Sequence, residues 1–91
     1  MRRRLVITGK VQGVWYRDWF VGEAKALALT GWVRNRRDGS VEALVDGSDS
    51  AVAAMIAKAR EGSPASRVED VTASDSHDAQ SLTDFTRAPT V

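Results

Sequence analysis

The sequence predicts an α+β sandwich in which two helices cover one face of a mostly antiparallel sheet. Short segments rich in β-branched and aliphatic residues alternate with two segments that have the apolar spacing of amphipathic helices. Their order is β-α-β-β-α-β, and a short extra strand comes last. Two helices cannot shield both faces of such a sheet, so we expect the other face to contact water. This arrangement is the ferredoxin-like α/β sandwich.

The first strand is predicted over residues 4–10, where aliphatic and β-branched side chains dominate. Leu5 and Ile7 would lie on one face of it, because side chains alternate along a strand. A helix is then predicted from Asp18 to about Leu29. Its apolar stripe consists of Phe20, Ala24 and Leu27, with Trp19 and Ala28 at the sides.

Two further strands are predicted over residues 31–35 and 41–45. The Asp38-Gly39 pair between them favours a hairpin turn, since glycine tolerates positive φ. The second of these strands alternates between faces. Val41, Ala43 and Val45 point to one side, and Glu42 and Leu44 to the other.

The second helix is predicted from a cap at Ser48 or Asp49 to about Arg60. Its stripe is formed by Val52, Met55, Ile56 and Ala59.

A further strand is predicted over residues 66–74, with a bulge or a late start, because Val68 and Val71 are three residues apart. Residues 76–81 are predicted to form a loop. The last strand covers residues 82–87, and Pro89 prevents its extension.

The composition is that of an ordinary soluble globular protein. Of the 91 residues, 43% are hydrophobic and 27% charged, which fits a single domain over residues 1–91. No apolar run reaches membrane-spanning length, and the segment after Met1 lacks the apolar core of a secretory signal. The absence of cysteine excludes disulfides and thiol chemistry and fits a reducing compartment, so we expect a cytoplasmic protein.

Charge is distributed unevenly along the chain. Residues 1–40 contain nine Lys or Arg and three Asp or Glu, whereas residues 41–91 contain four and nine. One interpretation is a field that attracts an anionic substrate. The other is chance combined with solvated surfaces, and the sequence favours neither.

The stretch from Gly9 to Arg17, Gly-Lys-Val-Gln-Gly-Val-Trp-Tyr-Arg, joins the first strand to the first helix. Such a glycine-containing junction can turn successive N–H groups toward one point, to which the helix adds its positive N-terminal end. Arg17 lies at the helix start, where a cation is unfavourable for the helix dipole. Together these features predict a ligand such as phosphate. The alternative is a simple turn with a solvated arginine.

A second motif, Gly-Trp-Val-Arg-Asn, ends at Asn35. With the Gly9–Arg17 stretch at this separation, the chain resembles the acylphosphatases. Their pattern is G-x-V-Q-G-V-x-[FY]-R, followed about fifteen residues later by G-W-V-x-N. The hairpin at residues 35–42, the segment 61–65 and the strand Phe85–Arg87 extend the resemblance over nearly the whole chain.

The resemblance implies hydrolysis of acyl phosphates to a carboxylate and inorganic phosphate by a monomeric enzyme without metal or other cofactor. Arg17 and Asn35 would be catalytic. Inorganic phosphate would be both a product and a competitive inhibitor. The phosphate-binding backbone amides would be those of Gln12, Gly13, Val14, Trp15, Tyr16 and Arg17.

Physical chemistry gives these residues plausible roles. The planar fork of Arg17 can hold two phosphate oxygens, which a lysine cannot do. The Asn35 carboxamide can orient an attacking water, or it can instead satisfy the hairpin backbone. Trp15 or Tyr16 could border the acyl group. His77 has no partner in the sequence and is expected at the surface.

Two segments depart from the family pattern. The family commonly has glycine where Ala28 stands, so a left-handed backbone there would cost about 1 kcal/mol. Residues 74–81 match no family feature. Neither departure touches the predicted catalytic positions.

Two other functions compete with hydrolysis. Small ferredoxin-like sheets with exposed basic and aromatic residues can bind RNA, although no RRM signature is present here. A catalytically silent copy of the fold that binds an anion without turnover is the other alternative.

Overall fold

The computed structural model describes residues 1–91 and confirms the predicted order of elements. These are β1 (Arg2–Lys10), α1 (Tyr16–Ala26), β2 (Thr30–Asn35), β3 (Val41–Asp46), α2 (Asp49–Glu61), β4 (Arg67–Asp75) and β5 (Phe85–Arg87). The strands form one sheet in the order β4-β1-β3-β2-β5. All neighbouring pairs are antiparallel except β2 and β5, which are parallel. The ferredoxin-like α+β fold is therefore confirmed.

This topology brings several chain segments to one end of the sheet. Strand β3 lies between β1 and β2 and is antiparallel to both, so β1 and β2 finish at the same end. Strand β5 finishes there too, and β3 and β4 begin there. Helix α1 starts at this end and α2 finishes at it. We call it the loop end, and the opposite one the far end.

The core lies between the sheet and the two helices, as the apolar patterns predict. Leu5 and Ile7 of β1 are buried there, and so are Val41, Ala43 and Val45 of β3. From the helices, the buried members of the predicted stripes are Phe20, Ala24, Val52, Met55 and Ala59. Leu27 and Ile56 are partly buried against this core.

Helix α1 is shorter at its C-terminal end than the predicted Leu29. Leu27 is the C-cap, and Ala28 has a left-handed backbone with φ 58°. Ala28 is exposed, so its predicted place beside the apolar stripe is wrong. Leu29 is buried after the chain has turned, so the apolar pattern extends past the end of the helix.

The sequence predicts that the helix-free face contacts water, but part of this face is buried. Glu42 is 3% exposed and Leu44 is 2% exposed, although both point away from the helices. Leu44 is flanked by Arg4 and Trp32 on the neighbouring strands. Glu42 forms ion pairs with Arg4 and with Arg34, the second at 2.7 Å.

The two guanidinium groups determine how Glu42 ionises. Burial alone would raise the pKa of Glu42, but hydrogen bonds from Arg34 and Arg4, together with their charges, outweigh it. The pKa of Glu42 is therefore below its usual value. The Arg34 guanidinium also lies over the Trp32 ring, 4.4 Å from its centroid, which is a cation–π contact.

Strand boundaries differ from prediction mainly at the far end. Strand β1 begins at Arg2, because Arg2 and Arg3 already pair with β3. The last strand begins at Phe85 and not at residue 82. The predicted bulge in β4 is confirmed: Thr8 pairs with Asp70 and Gly9 with Val68, which leaves Glu69 as the extra residue.

Candidate active site

The β1–α1 loop, residues 11–15, has two residues with a left-handed backbone. Gly13 has φ 71° and Trp15 has φ 63°. Trp15 is also the N-cap of α1, and its side chain does not cap the helix. A left-handed tryptophan costs about 1–2 kcal/mol, and strain of this kind is concentrated at functional sites.

The amides of this loop and of the first helical turn have no partner in the protein. None of the N–H groups of residues 12–17 donates a hydrogen bond to another group of the chain. Six successive free donors lie beside the positive end of the α1 dipole. This backbone is suited to hold the oxygens of a small anion.

Arg17 lies in the first turn of α1 and is half-buried. Its guanidinium forms no ion pair or hydrogen bond within the protein. It lines a cavity of about 240 Å³ at the loop end. The cavity is formed by Val11, Gly13, Trp15, Tyr16, Arg17, Asp18 and Arg87.

Asn35 is the last residue of β2 and lies at the same end of the sheet. It shares a cross-strand row with Val41 and Ile7, so its side chain is on the helix side. Its carbonyl accepts a hydrogen bond from the Val91 N–H at 3.2 Å. The carboxamide itself forms no hydrogen bond within the protein, and its buried Oδ1 has no partner. Asn35 does not line the cavity.

Other side chains hold the hairpin that carries Asn35. Gln12 Nε2 donates to the carbonyl of Arg36 at 2.7 Å and to that of Ser40 at 2.8 Å. Asp38 Oδ1 accepts from the Ser40 hydroxyl at 2.6 Å and from its N–H at 2.9 Å. The side-chain bond to Ser40, followed by the backbone bond, lowers the pKa of Asp38 below its usual value. The Asn35 side chain therefore forms none of the hydrogen bonds that stabilise the hairpin.

A family model for acylphosphatases matches residues 3–87. The chain belongs to the acylphosphatase family. An acylphosphatase from Rhizorhabdus wittichii is 52% identical over 89 residues, which cover 98% of this chain and 89% of that protein. One from Rhodospirillum rubrum is 60% identical over 65 residues, or 71% of each chain.

A solved structure leads to the same family. The acylphosphatase from Bacillus subtilis superposes with a TM-score of 0.90 at 34% sequence identity. The match covers 96% of this chain and 97% of that one. The fold and family expected from the two motifs are thus confirmed.

Two cavity residues, Asp18 and Arg87, are not indicated by the acylphosphatase motifs. Arg87 Nη1 donates to Asp18 Oδ1 at 2.7 Å, and both residues line the cavity beside Arg17. The sequence places Arg87 seventy residues from Arg17. Only the parallel pairing of Arg87 with Val33 brings it to the loop end, so no local signal could reveal it.

Trp15 and Tyr16, the two aromatic residues that could border the acyl group, differ in their exposure. The Tyr16 side chain is buried, and its hydroxyl donates to the Ala59 carbonyl at 3.0 Å. Burial raises the pKa of Tyr16. Trp15 is 79% exposed at the cavity. Of the two rings, only that of Trp15 is free to contact a ligand.

The structure contains no group of three or more His, Cys, Asp or Glu side chains placed to hold a metal ion. His77 is exposed, as expected. None of the helices combines the length and the apolar character needed to cross a membrane.

Proposed function

We propose that Arg17 and the amides of residues 12–17 hold the phosphoryl group while Asn35 orients the attacking water. The reaction is the hydrolysis of acyl phosphates that membership of the acylphosphatase family assigns to this chain. One observation carries the proposal. Six free N–H groups and an unpaired guanidinium belong to the same short segment.

The phosphate cradle, meaning the amides of residues 12–17 with the Arg17 guanidinium, is matched to the charge of the reaction. Charge in phosphoryl transfer is spread over the equatorial oxygens, so preorganised donors aimed at them lower the barrier. Tyr16 supports the cradle from behind, because its hydroxyl fastens the start of α1 to Ala59 near the end of α2. The donors therefore need little rearrangement when the phosphoryl group binds.

Asn35 suits the role of holding water because its carboxamide is not used elsewhere. The backbone of Asn35 is fixed by pairing with Val41 on one side and by Val91 on the other. Its buried Oδ1 can accept a hydrogen bond from water, and its Nδ2 can donate one. A carboxamide does not act as a general base near neutral pH, so Asn35 contributes orientation.

The step proposed is an in-line displacement. The water oxygen forms a bond to phosphorus as the bond between phosphorus and the acyl oxygen breaks. The bonding electron pair leaves with the carboxylate, and a phosphoryl oxygen accepts the proton of the water. Because a carboxylate is a good leaving group, this step needs no strong base and no bound metal.

The finer points of the proposal concern the acyl group and the state of the enzyme. Trp15 borders the acyl group, inorganic phosphate competes with substrate for the cradle, and the enzyme acts as a cytoplasmic, single-domain monomer.

Nucleic-acid binding is not favoured, because Arg2, Arg4 and Arg34 on the helix-free face are already in ion pairs with carboxylates. A silent copy of the fold is not favoured either, since Arg17 and Asn35 are both present.

Asn35→Ala tests the proposal. The cradle does not include this side chain, so inhibition by inorganic phosphate should remain within a few-fold of the parent. We expect kcat to fall by about a hundredfold or more, because water orientation matters mainly in the transition state. Hydrolysis of acetyl phosphate and benzoyl phosphate measures this, with circular dichroism to verify folding and Gln80→Ala as a carboxamide control far from the site.

A folded Asn35→Ala protein with nearly full activity would remove Asn35 from the mechanism. The same assays are run with EDTA. If EDTA abolished hydrolysis and Mg²⁺ restored it, the metal-free part of the proposal would be wrong.

A further inference from the structure

The Gln12 side chain connects the two halves of the site. Its main chain belongs to the phosphate cradle, whereas its Nε2 donates to two carbonyls of the β2–β3 hairpin. One of these belongs to Arg36, the residue after Asn35. The other belongs to Ser40, which precedes Val41, the cross-strand partner of Asn35. One carboxamide thus holds both ends of the turn next to Asn35.

No other hydrogen bond links residues 11–17 to residues 35–40. Strands β1 and β2 do not pair with each other, because β3 lies between them. Beyond the ends of these strands, no main-chain hydrogen bond joins the β1–α1 loop to the hairpin, so only side chains can provide a direct hydrogen bond between them. Gln12 is partly buried where it makes this link, so water competes less for the two carbonyls.

We propose that Gln12 is a positioning residue that sets the placement of Asn35 relative to the phosphate cradle. This inference rests on the proposed roles of the cradle and Asn35. In-line attack needs the water, the phosphorus and the leaving oxygen to be aligned, and a displacement of about 1 Å can cost about a hundredfold in rate. Two hydrogen bonds to a turn directly beside Asn35 limit such a displacement.

Gln12→Met is the informative change, because methionine has a similar length, keeps the main-chain amide and donates no hydrogen bond. We expect kcat to fall by about tenfold or more, while inhibition by inorganic phosphate changes by about threefold or less. Gln12→Glu should lower kcat further, since a carboxylate would face two carbonyl oxygens. Gln80→Met is the matched control and should leave both constants unchanged, because the Gln80 side chain makes no hydrogen bond.

A double-mutant cycle separates positioning from a general structural effect. If Gln12 acts through Asn35, adding Gln12→Met to Asn35→Ala should lower kcat by less than about twofold. A full multiplicative loss in the double variant would overturn the inference. So would a folded Gln12→Met protein with normal kcat, or one whose kcat and phosphate affinity fall together.

The same cycle distinguishes this inference from the function on which it rests. A normal kcat in Asn35→Ala would contradict the proposed role of Asn35, and with it the inference. A collapsed kcat in Asn35→Ala together with a normal kcat in Gln12→Met would overturn only the role of Gln12. Thermal melting of all four proteins reports whether each variant is folded at the assay temperature.

Discussion

The helix-free face of the sheet and the loop end both carry arginines, but the arginines of the two regions differ in whether they form ion pairs. On the helix-free face Arg2 is in an ion pair with Asp46, and Arg4 and Arg34 are both in ion pairs with Glu42. At the loop end Arg17 has no partner. The other cations without an ion pair, all at the loop end as well, are Lys10, Arg37, Arg60 and Arg67.

The difference shows that positive charge alone does not mark a site. The positive excess of residues 1–40 is largely neutralised by carboxylates from residues 41–91, such as Asp46 and Asp75. Three carboxylates without an ion pair, those of Glu61, Glu69 and Asp70, also lie at the loop end. What distinguishes Arg17 is that it stands beside six free N–H groups, where no carboxylate reaches it. Five experiments test the contrast.

The largest effect is expected for Arg17→Lys compared with Arg34→Lys. Lysine cannot form the two-pronged contact, so Arg17→Lys should lower kcat/KM by about a hundredfold or more and weaken inhibition by inorganic phosphate. Arg34→Lys should leave kcat/KM within about twofold, since its partner is Glu42. Near-normal phosphate inhibition in Arg17→Lys would contradict its role as the anchor.

Glu42→Gln should destabilise the protein without impairing hydrolysis. Removing one partner of a buried ion pair leaves the others uncompensated, but Arg4 and Arg34 are partly exposed, so we expect a loss of about 2 kcal/mol. Urea denaturation at neutral pH measures it. Glu69→Gln is the control, because Glu69 is exposed and unpaired, and it should change stability by about 0.5 kcal/mol or less.

The same variant should change how stability depends on pH. The pKa of Glu42 lies below its ordinary value of 4.5 in the native state, so the unfolded chain takes up a proton first as the pH falls. The contribution of Glu42 is therefore complete above pH 4.5 and is lost as the pH falls through the native pKa. Glu42→Gln should lose less stability than the parent on acidification below that pH. An equal loss would contradict the ion-pair account.

Binding of single-stranded RNA should be weak and sensitive to salt. Arg2, Arg4 and Arg34 on the helix-free face are in ion pairs, and Trp32 is covered by Arg34, so this face offers no free stacking platform. With about two phosphate contacts, affinity should fall by about tenfold between 50 and 200 mM salt. Titration of labelled strands at both salt concentrations measures this. Tight, sequence-dependent binding at 200 mM salt would favour the nucleic-acid function instead.

The smallest effect is expected for Ala28→Gly. Ala28 and Trp15 are the two non-glycine residues with positive φ, but only Trp15 lines the cavity. Glycine at position 28 should stabilise the protein by about 0.5–1 kcal/mol and leave hydrolysis unchanged. Thermal melting and a hydrolysis assay measure these. A lower melting temperature would mean that the left-handed backbone at Ala28 carries no strain.

The sequence by itself determined the order of the elements, the core faces and the segment proposed to bind the anion. The stripes containing Phe20 and Val52 repeat with the helical period, and the Ser48 cap accepts from the Ala51 N–H at 3.2 Å. These features depend on residues a few positions apart, so local patterns can reveal them. The two family motifs also identified Arg17 and Asn35 as candidate site residues, because the separation of these two residues along the chain is part of the pattern.

Only the tertiary structure decided what those residues contact. It buried Glu42 and Leu44 on a face expected to contact water, and it brought Arg87 to the cavity. It also decided that the side chain of Gln12, and not that of Asn35, donates hydrogen bonds to the hairpin. Each of these outcomes depends on which strand lies beside which and in what register. Strand pairing joins residues dozens of positions apart, and neither periodicity nor turn preference within a short segment specifies that neighbour.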